Sequence, residues 1–277
     1  MIRFRRYIFL LLLVIAAASC RELVTLDLPL QEARLIVEGH LIDTEGPHTV
    51  KLTLSQDYFS TAPVPVVEDA VVTISDNAGN VEQLVYTGNG VYATQSLQGV
   101  VGRSYNLSID WQGQQYASSG TLMPKGIVDS LSVNFYEAVP PVFDAGYYIT
   151  LYGIIPEEAA DYYRVKVYEN DSLYNDRTDL LVPDSRFVPS RIVEQLQYPF
   201  QPGDTVRLEL YSLDAAMYNY YVELRSLLFN DGGLFSPPPR NPTSNVINLT
   251  NPDNQPLGFF QVASYDWGVI IVEEERE

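Results

Sequence analysis

Cysteine, histidine and positive charge are all scarce in this chain. Its 277 residues include one cysteine, two histidines and two tryptophans. A lone cysteine excludes an internal disulfide, so burial must hold the fold together. His40 and His48 alone give no basis for a zincin motif or a histidine-built metal centre. There is no Gly-x-Ser-x-Gly elbow, no glycine-rich phosphate loop and no Asp-x-Asp-x-Asp-Gly calcium loop. Scattered acids leave only an irregular cation site open, and no cofactor is expected. Lysine and arginine total 17 against 35 acids, a formal charge of −18. Such a surface repels nucleic acid and anionic headgroups, which excludes nucleic-acid binding. It suits solubility, with capture of a cation or basic peptide as the sharper alternative. Beyond residue 20 no apolar run approaches the roughly 20 residues a membrane-spanning helix needs.

What is present begins at the N-terminus. Arg3, Arg5 and Arg6 precede an uninterrupted apolar run over residues 7–18, which ends in Ser19-Cys20. A cationic start, a short apolar core and a small-residue exit form a secretory signal. Ala17-Ala18-Ser19-Cys20 resembles the bacterial lipobox, with alanine where leucine usually stands three places before the cysteine. The expectation is a signal peptide over residues 1–19, cleavage before Cys20, and lipidation of its thiol. One acyl chain anchors a protein only marginally, whereas the three carried by a bacterial lipoprotein hold it firmly. Removing residues 1–19 takes away three arginines and no acids, so the charge moves from −18 to −21. Residues 20–32 read as a lipidated tether. Its acids Glu22 and Asp27 leave the exposed face, surface or periplasmic, undetermined.

Twenty tyrosines and eighteen prolines point to β-rich architecture. Period-two strands are expected at residues 35–40, 49–54, 70–75, 81–87 and 91–93, then 103–110 and 114–122. Asn77-Ala78-Gly79-Asn80 and Gly88-Asn89-Gly90 supply turns. Short strands at this spacing predict an immunoglobulin- or transthyretin-like β-sandwich over residues 33–123. Pro124-Lys125-Gly126 marks a boundary, and residues 124–277 read as a second β-rich, sandwich-like domain. Its strands are expected at 128–136, 147–152, 162–169, 205–211, 245–249, 257–262 and 268–272. One helix is expected over residues 214–230, capped by Asp214 and stopped by Gly232-Gly233. Met217, Tyr220, Tyr221, Leu224, Leu227 and Leu228 repeat at helical spacing.

These pieces resemble a family of Bacteroidota lipoproteins known as domain of unknown function 4249. The resemblance rests on Cys20 and its tether, Leu35-Ile36-Val37-Glu38-Gly39 and Asp69-Ala70-Val71-Val72-Thr73-Ile74. It continues through Gly90-Val91-Tyr92, Gly102-Arg103-Ser104-Tyr105-Asn106-Leu107, the helix with Tyr218 to Leu228, Asn245-Val246-Ile247-Asn248 and Leu257-Gly258-Phe259-Phe260. It implies an outer-membrane setting beside a TonB-dependent transporter and supplies no catalytic residues.

Candidate chemistry is thin. Glu157, Glu158 and Asp161 cluster after Pro156, as an exposed turn would. Trp111 and one member each of Tyr147-Tyr148 and Tyr162-Tyr163 are candidate sugar-stacking platforms, since strand neighbours face opposite ways. Asp129-Ser130-Leu131, Asp171-Ser172-Leu173 and Asp204-Thr205-Val206 resemble short O-glycosylation sequons. The leading expectation is a non-enzymatic accessory subunit of a TonB-dependent nutrient transporter, with a glycan or peptide ligand. A structural or adhesive surface lipoprotein is the alternative from another class, and a glycoside- or peptide-directed hydrolase the third. Metabolic labelling with a fatty acid is expected to mark the protein, and replacing Cys20 with serine to abolish the label. A label that survives the substitution would place the lipid elsewhere.

Overall fold

The computed structural model describes residues 32–274, apart from 58–59, 142, 175–179, 189 and 234–235. The expected signal peptide, Cys20 and the tether up to residue 31 lie outside the described residues. From Ala33 onward the chain forms one compact unit.

Its described elements are mainly β. In order they are β1 (Leu35–Ile42), β2 (Thr49–Leu54), β3 (Val71–Asp76), β4 (Val81–Gln83), β5 (Val85–Gly88) and β6 (Val91–Ala93). Next come β7 (Ser104–Trp111), β8 (Gln114–Thr121), β9 (Ile127–Tyr136), β10 (Gly146–Ile154), β11 (Tyr162–Glu169), β12 (Ser172–Leu173) and β13 (Arg191–Gln195). The chain closes with β14 (Thr205–Leu213), helix α1 (Ala215–Leu228), β15 (Val246–Asn248) and β16 (Leu257–Ile271).

An eight-stranded sheet runs β12-β11-β14-β16-β1-β2-β6-β5. All its neighbours are antiparallel except β1 and β16. A five-stranded sheet, β15-β8-β7-β3-β4, covers one end of its inner face, and a three-stranded sheet, β13-β10-β9, covers the other. Strand alternation builds the first core. Leu35, Val37 and Leu41 of β1 and Val50 and Leu52 of β2 meet Val72, Ile74, Leu107 and Ile109 from across the sandwich. The second core joins Val165 and Val167 of β11 and Val206, Leu208 and Leu210 of β14 to Ile149, Leu151 and Ile192.

The expected boundary near residue 124 divides most strands between these cores, but β15 and the first half of β16 return to the first. Val246, Phe260 and Val262 are buried there. Strand β16 is thus common to both. Leu257–Ala263 pairs with β1, and Ser264–Ile271 pairs with β14 on the opposite edge. The expected interruption at Ser264-Tyr265-Asp266 is absent: the strand changes partner there without ending.

Two local features fix this arrangement. Gly258 has φ of +88°, and a Cβ there would strike the Val37 carbonyl. Phe260 lies where β14 no longer accompanies β16, and Asn245 substitutes for the missing strand. Its side chain accepts from Phe260 N and donates to Phe260 O, each at 2.8 Å.

Three further differences have physical causes. Residues 81–87 split into β4 and β5 in different sheets, because the chain crosses the sandwich at buried Leu84, whose amide donates to Val72 O at 2.8 Å. Alternation continues unbroken through Leu84, so the sequence shows one strand. β13 carries only five residues of mixed exposure and gave no signal. Helix α1 starts as expected, with Asp214 accepting from Met217 N at 2.9 Å, but it ends at Leu228, before Gly232. The Phe229 amide closes the last turn on Arg225 O at 3.1 Å.

Asn245→Ala leaves both main-chain groups of Phe260 unpaired and is expected to cost about 2 kcal/mol of folding stability, read from urea unfolding. An unchanged midpoint would show that these bonds are dispensable.

Candidate binding surface

The outer face of the eight-stranded sheet gathers cationic and aromatic side chains on β11, β14 and β16. In β11, period two sends Tyr163, Val165 and Val167 into the core and Tyr162, Arg164, Lys166 and Tyr168 outward. In β14 the outward set is Arg207, Glu209 and Tyr211; in β16 it is Tyr265, Trp267, Val269 and Ile271. Strand register aligns these as three rows: Arg164–Tyr211–Tyr265, Lys166–Glu209–Trp267 and Tyr168–Arg207–Val269.

Cations and rings interlock across the rows. Arg207 lies 4.0 Å from the centroid of the Tyr168 ring and Lys166 4.7 Å from that of Tyr211. Tyr211 stacks on Tyr265 with centroids 5.2 Å apart. Glu209 is buried, pairs with Arg207 and accepts from Tyr211 Oη at 2.7 Å. Burial and this carboxylate both raise the Tyr211 pKa. Trp267 and Val269 remain more than half exposed.

Helix α1 covers one end of this face. Met217 and Tyr221 pack against Tyr211, Leu213 and Ala263. The Arg164 guanidinium lies 4.4 Å from the Tyr221 ring centroid, and Tyr221 Oη donates to Gln261 Oε1 at 2.6 Å. His40 of β1 meets Phe259 edge-on at 5.1 Å. Burial, reinforced by Lys166 and Arg164, pulls the His40 pKa down to about 4, so the imidazole is neutral at pH 7. Arg164 Nε and the Gln261 side-chain amide are buried donors without a protein acceptor among the described residues. Chemically, the face offers cationic donors, stacking rings and an exposed indole.

A separate cleft of about 530 Å³ lies at the loop end of the first sandwich, lined by Asp76, Asn80, Glu82, Ser96 and Arg103 among others. Its carboxylates are committed to the fold. Asp76 accepts from Ala78 N, Asn80 N, Asn80 Nδ2 and Arg103 Nη1 at 2.7–2.9 Å. The Asn80 side chain leads the interactions that hold its pKa at about 2. Glu82 accepts from the amides of Gln95 and Ser96 and from Ser96 Oγ.

The remaining candidates are dispersed. His48 is buried just before β2, its amide bonded to Thr94 Oγ1 at 2.8 Å, whereas His40 lies on the opposite, helix-covered side of the sheet. Trp111 donates through Nε1 to Asp69 at 2.9 Å and packs partly on the first core. Tyr148 and Tyr163 are buried, with hydroxyls bonded to Asp144 O and Ala160 O. Tyr147 and Tyr162 are the half-buried members of their pairs, Tyr162 stacked on Tyr218 at 4.4 Å. Glu157, Glu158 and Asp161 are exposed in and beside a turn. Ser130, Ser172 and Thr205 of the sequon-like triplets are exposed on strands. Among the described residues no group of three or more His, Cys, Asp or Glu is placed to hold a metal ion, and no helix is long and apolar enough to cross a membrane.

The model of the family described as domain of unknown function (DUF4249) matches residues 21–267, most of the chain. The chain belongs to the DUF4249 family. No curated protein matches it. The DUF4249 match takes in β1 to β15 and β16 as far as Trp267, so the three rows of the outer face fall within it except for Val269. Sequence reasoning singled out Tyr162 and Tyr163 but missed Arg164, Lys166, Arg207 and Glu209. The available signal was Arg and Lys alternating with Val165 and Val167 between tyrosines.

Folding stability should report the His40 environment. The unfolded imidazole, near 6.5, binds a proton that the folded one, at about 4, refuses. Stability therefore falls as pH drops from 7 towards 4, by up to about 3 kcal/mol from this group. His40→Gln is expected to flatten the pH slope of urea-unfolding free energy relative to wild type over that window. Equal slopes would place His40 in solvent.

Proposed function

We propose that this DUF4249 protein is a non-enzymatic lipoprotein, anchored to the outer membrane through Cys20, that serves as an accessory binding subunit of a TonB-dependent nutrient transporter. The observation that carries the binding role is the outer sheet face. It concentrates Arg164, Lys166 and Arg207 among tyrosines and Trp267, in a chain of net charge −18. Local positive charge set against a negative whole favours an acid-bearing ligand and steers it to one face. Exposed rings add stacking area for a sugar or peptide plane. The carboxylates of the cleft and of the outer face support binding over hydrolysis. Asp76, Glu82 and Glu209 are each tied into internal hydrogen bonds, which leaves them poorly placed for acid–base work on a substrate. The anchor rests on the sequence of residues 1–20.

A mild-detergent pull-down of the tagged lipoprotein from its native membrane, read by mass spectrometry, tests the assignment. A TonB-dependent barrel in stoichiometric yield is the expected outcome. Recovery of the lipoprotein alone would reject the accessory role.

A further inference from the structure

Strand β16 outruns its neighbour. β1 ends at Ile42, opposite Ala263, while β16 continues for eight residues to Ile271 with β14 on one side only. In an antiparallel pair, successive residues direct their main-chain groups to alternate edges. Val272 exchanges bonds with the β14 side, its amide to Asp204 O at 2.9 Å and its carbonyl from Gly203 N at 2.8 Å. Tyr265 instead donates away from β14, to Asp43 Oδ1 at 3.1 Å. Odd-numbered residues therefore present N–H and C=O on the open edge. Asp43 satisfies the first of these amides. Those of Trp267, Val269 and Ile271 have no partner among the described residues.

The same three side chains are 54%, 53% and 58% exposed, an apolar row beside an unpaired main chain. At the far end of the strand, a groove of about 620 Å³ runs between Val269–Ile271 and Val133, Phe135 and Tyr147, with Glu273 and Glu274 at its mouth. Phe135 and Glu273 and Glu274 are exposed. An open edge flanked by apolar side chains is a template for an added strand.

We propose that the open edge of β16 over Trp267–Ile271 binds an extended peptide segment, apolar at alternate positions and ending in lysine or arginine. Main-chain bonds to Trp267, Val269 and Ile271 supply register. Alternate apolar side chains cover the exposed row, and the basic end meets Glu273 and Glu274. A second copy of this chain fits less well, because it brings another −18 body against the same acids. The proposal rests on the edge alone and is independent of the transporter assignment.

The test uses the purified mature lipoprotein and a fluorescent synthetic peptide, Lys-Val-Thr-Val-Thr-Val-Lys. Fluorescence anisotropy is expected to show saturable binding below about 1 mM, and hydrogen exchange to show added protection over residues 264–271. Val269→Pro removes an outward amide while leaving the bonds to β14, which even-numbered residues make. It should weaken binding at least tenfold. Val269→Lys alters only an exposed side chain, so it guards against misfolding and should weaken binding as well. Glu273→Lys combined with Glu274→Lys should lower affinity about tenfold. No binding at 1 mM, unchanged affinity in folded Val269→Pro, or no added protection at 264–271 would each overturn the proposal. A concentration-dependent dimer abolished by Val269→Pro would assign the edge to a second copy and overturn the peptide as its occupant.

Discussion

The fold depends on one strand changing partners. Strand β16 hands over from β1 to β14 between Ala263 and Ser264 without leaving the sheet. Because it does not bend away, eight strands share one sheet, and the two cores share one strand. The handover leaves main-chain groups without neighbours on either side of it. Asn245 bonds to Phe260 where β14 is missing, and Asp43 bonds to Tyr265 where β1 is missing. Two side chains thus do for one residue each what a strand does for many. An unpaired buried amide is costly, and one well-placed carboxamide or carboxylate removes that cost.

Charge is distributed against the average of the chain. A body of −18 has every reason to spread its few cations, yet Arg164, Lys166 and Arg207 sit on two adjacent strands. Their mutual repulsion is offset by rings and by Glu209. Arg207 and Lys166 lie over tyrosines, and the buried carboxylate faces both a guanidinium and a phenol. Such buried pairs are poor sources of net stability, because desolvation takes back most of the Coulombic gain. Apolar residues at these positions would have served packing at least as well. The cations here therefore contribute little to net stability. The neutral state of His40 follows from the same field: with Lys166 and Arg164 near and water largely excluded, another positive charge is unfavourable.

How much was legible in the sequence follows from which interactions are local. Alternation in 35–42, 104–111 and 162–169 exposed the strands, because burial on one face of a sheet leaves a period-two trace. Asp214 announced the helix because capping is settled within three residues. What failed was non-local. Leu84 moves the chain from one sheet to the other while the alternation runs on, and nothing in Val81 to Thr87 records the change of partner. Ser264-Tyr265-Asp266 reads as a break because polar residues interrupt an apolar run. In the fold Ser264 donates to Met123 O at 2.6 Å, and Asp266 accepts from Val128 N at 2.8 Å. These side chains tie the inner face of β16 to the segment entering β9, a contact separated by about 140 residues of sequence. The outer face was half legible: its tyrosines drew attention, but the alignment of Arg164 with Tyr211 and of Lys166 with Glu209 is a matter of register between distant strands.

The period-two geometry that builds this face also couples it to the open edge. In β16 the residues that point side chains outward, Tyr265, Trp267, Val269 and Ile271, are the same residues whose amides point away from β14. Neither property can be tuned without the other. A one-residue register shift would bury the indole of Trp267, expose Gly268 and turn the free amides to the opposite set. Gly268 resists that shift, since a Cβ there would come within 2.9 Å of Val128 Cγ1 and 3.3 Å of Leu131 Cδ1. Packing on the inner face therefore fixes the outer one. The close approach of β9 to Gly268 holds the register of β16, and that register determines both the row of cations and rings beside β14 and the unpaired edge beyond β1.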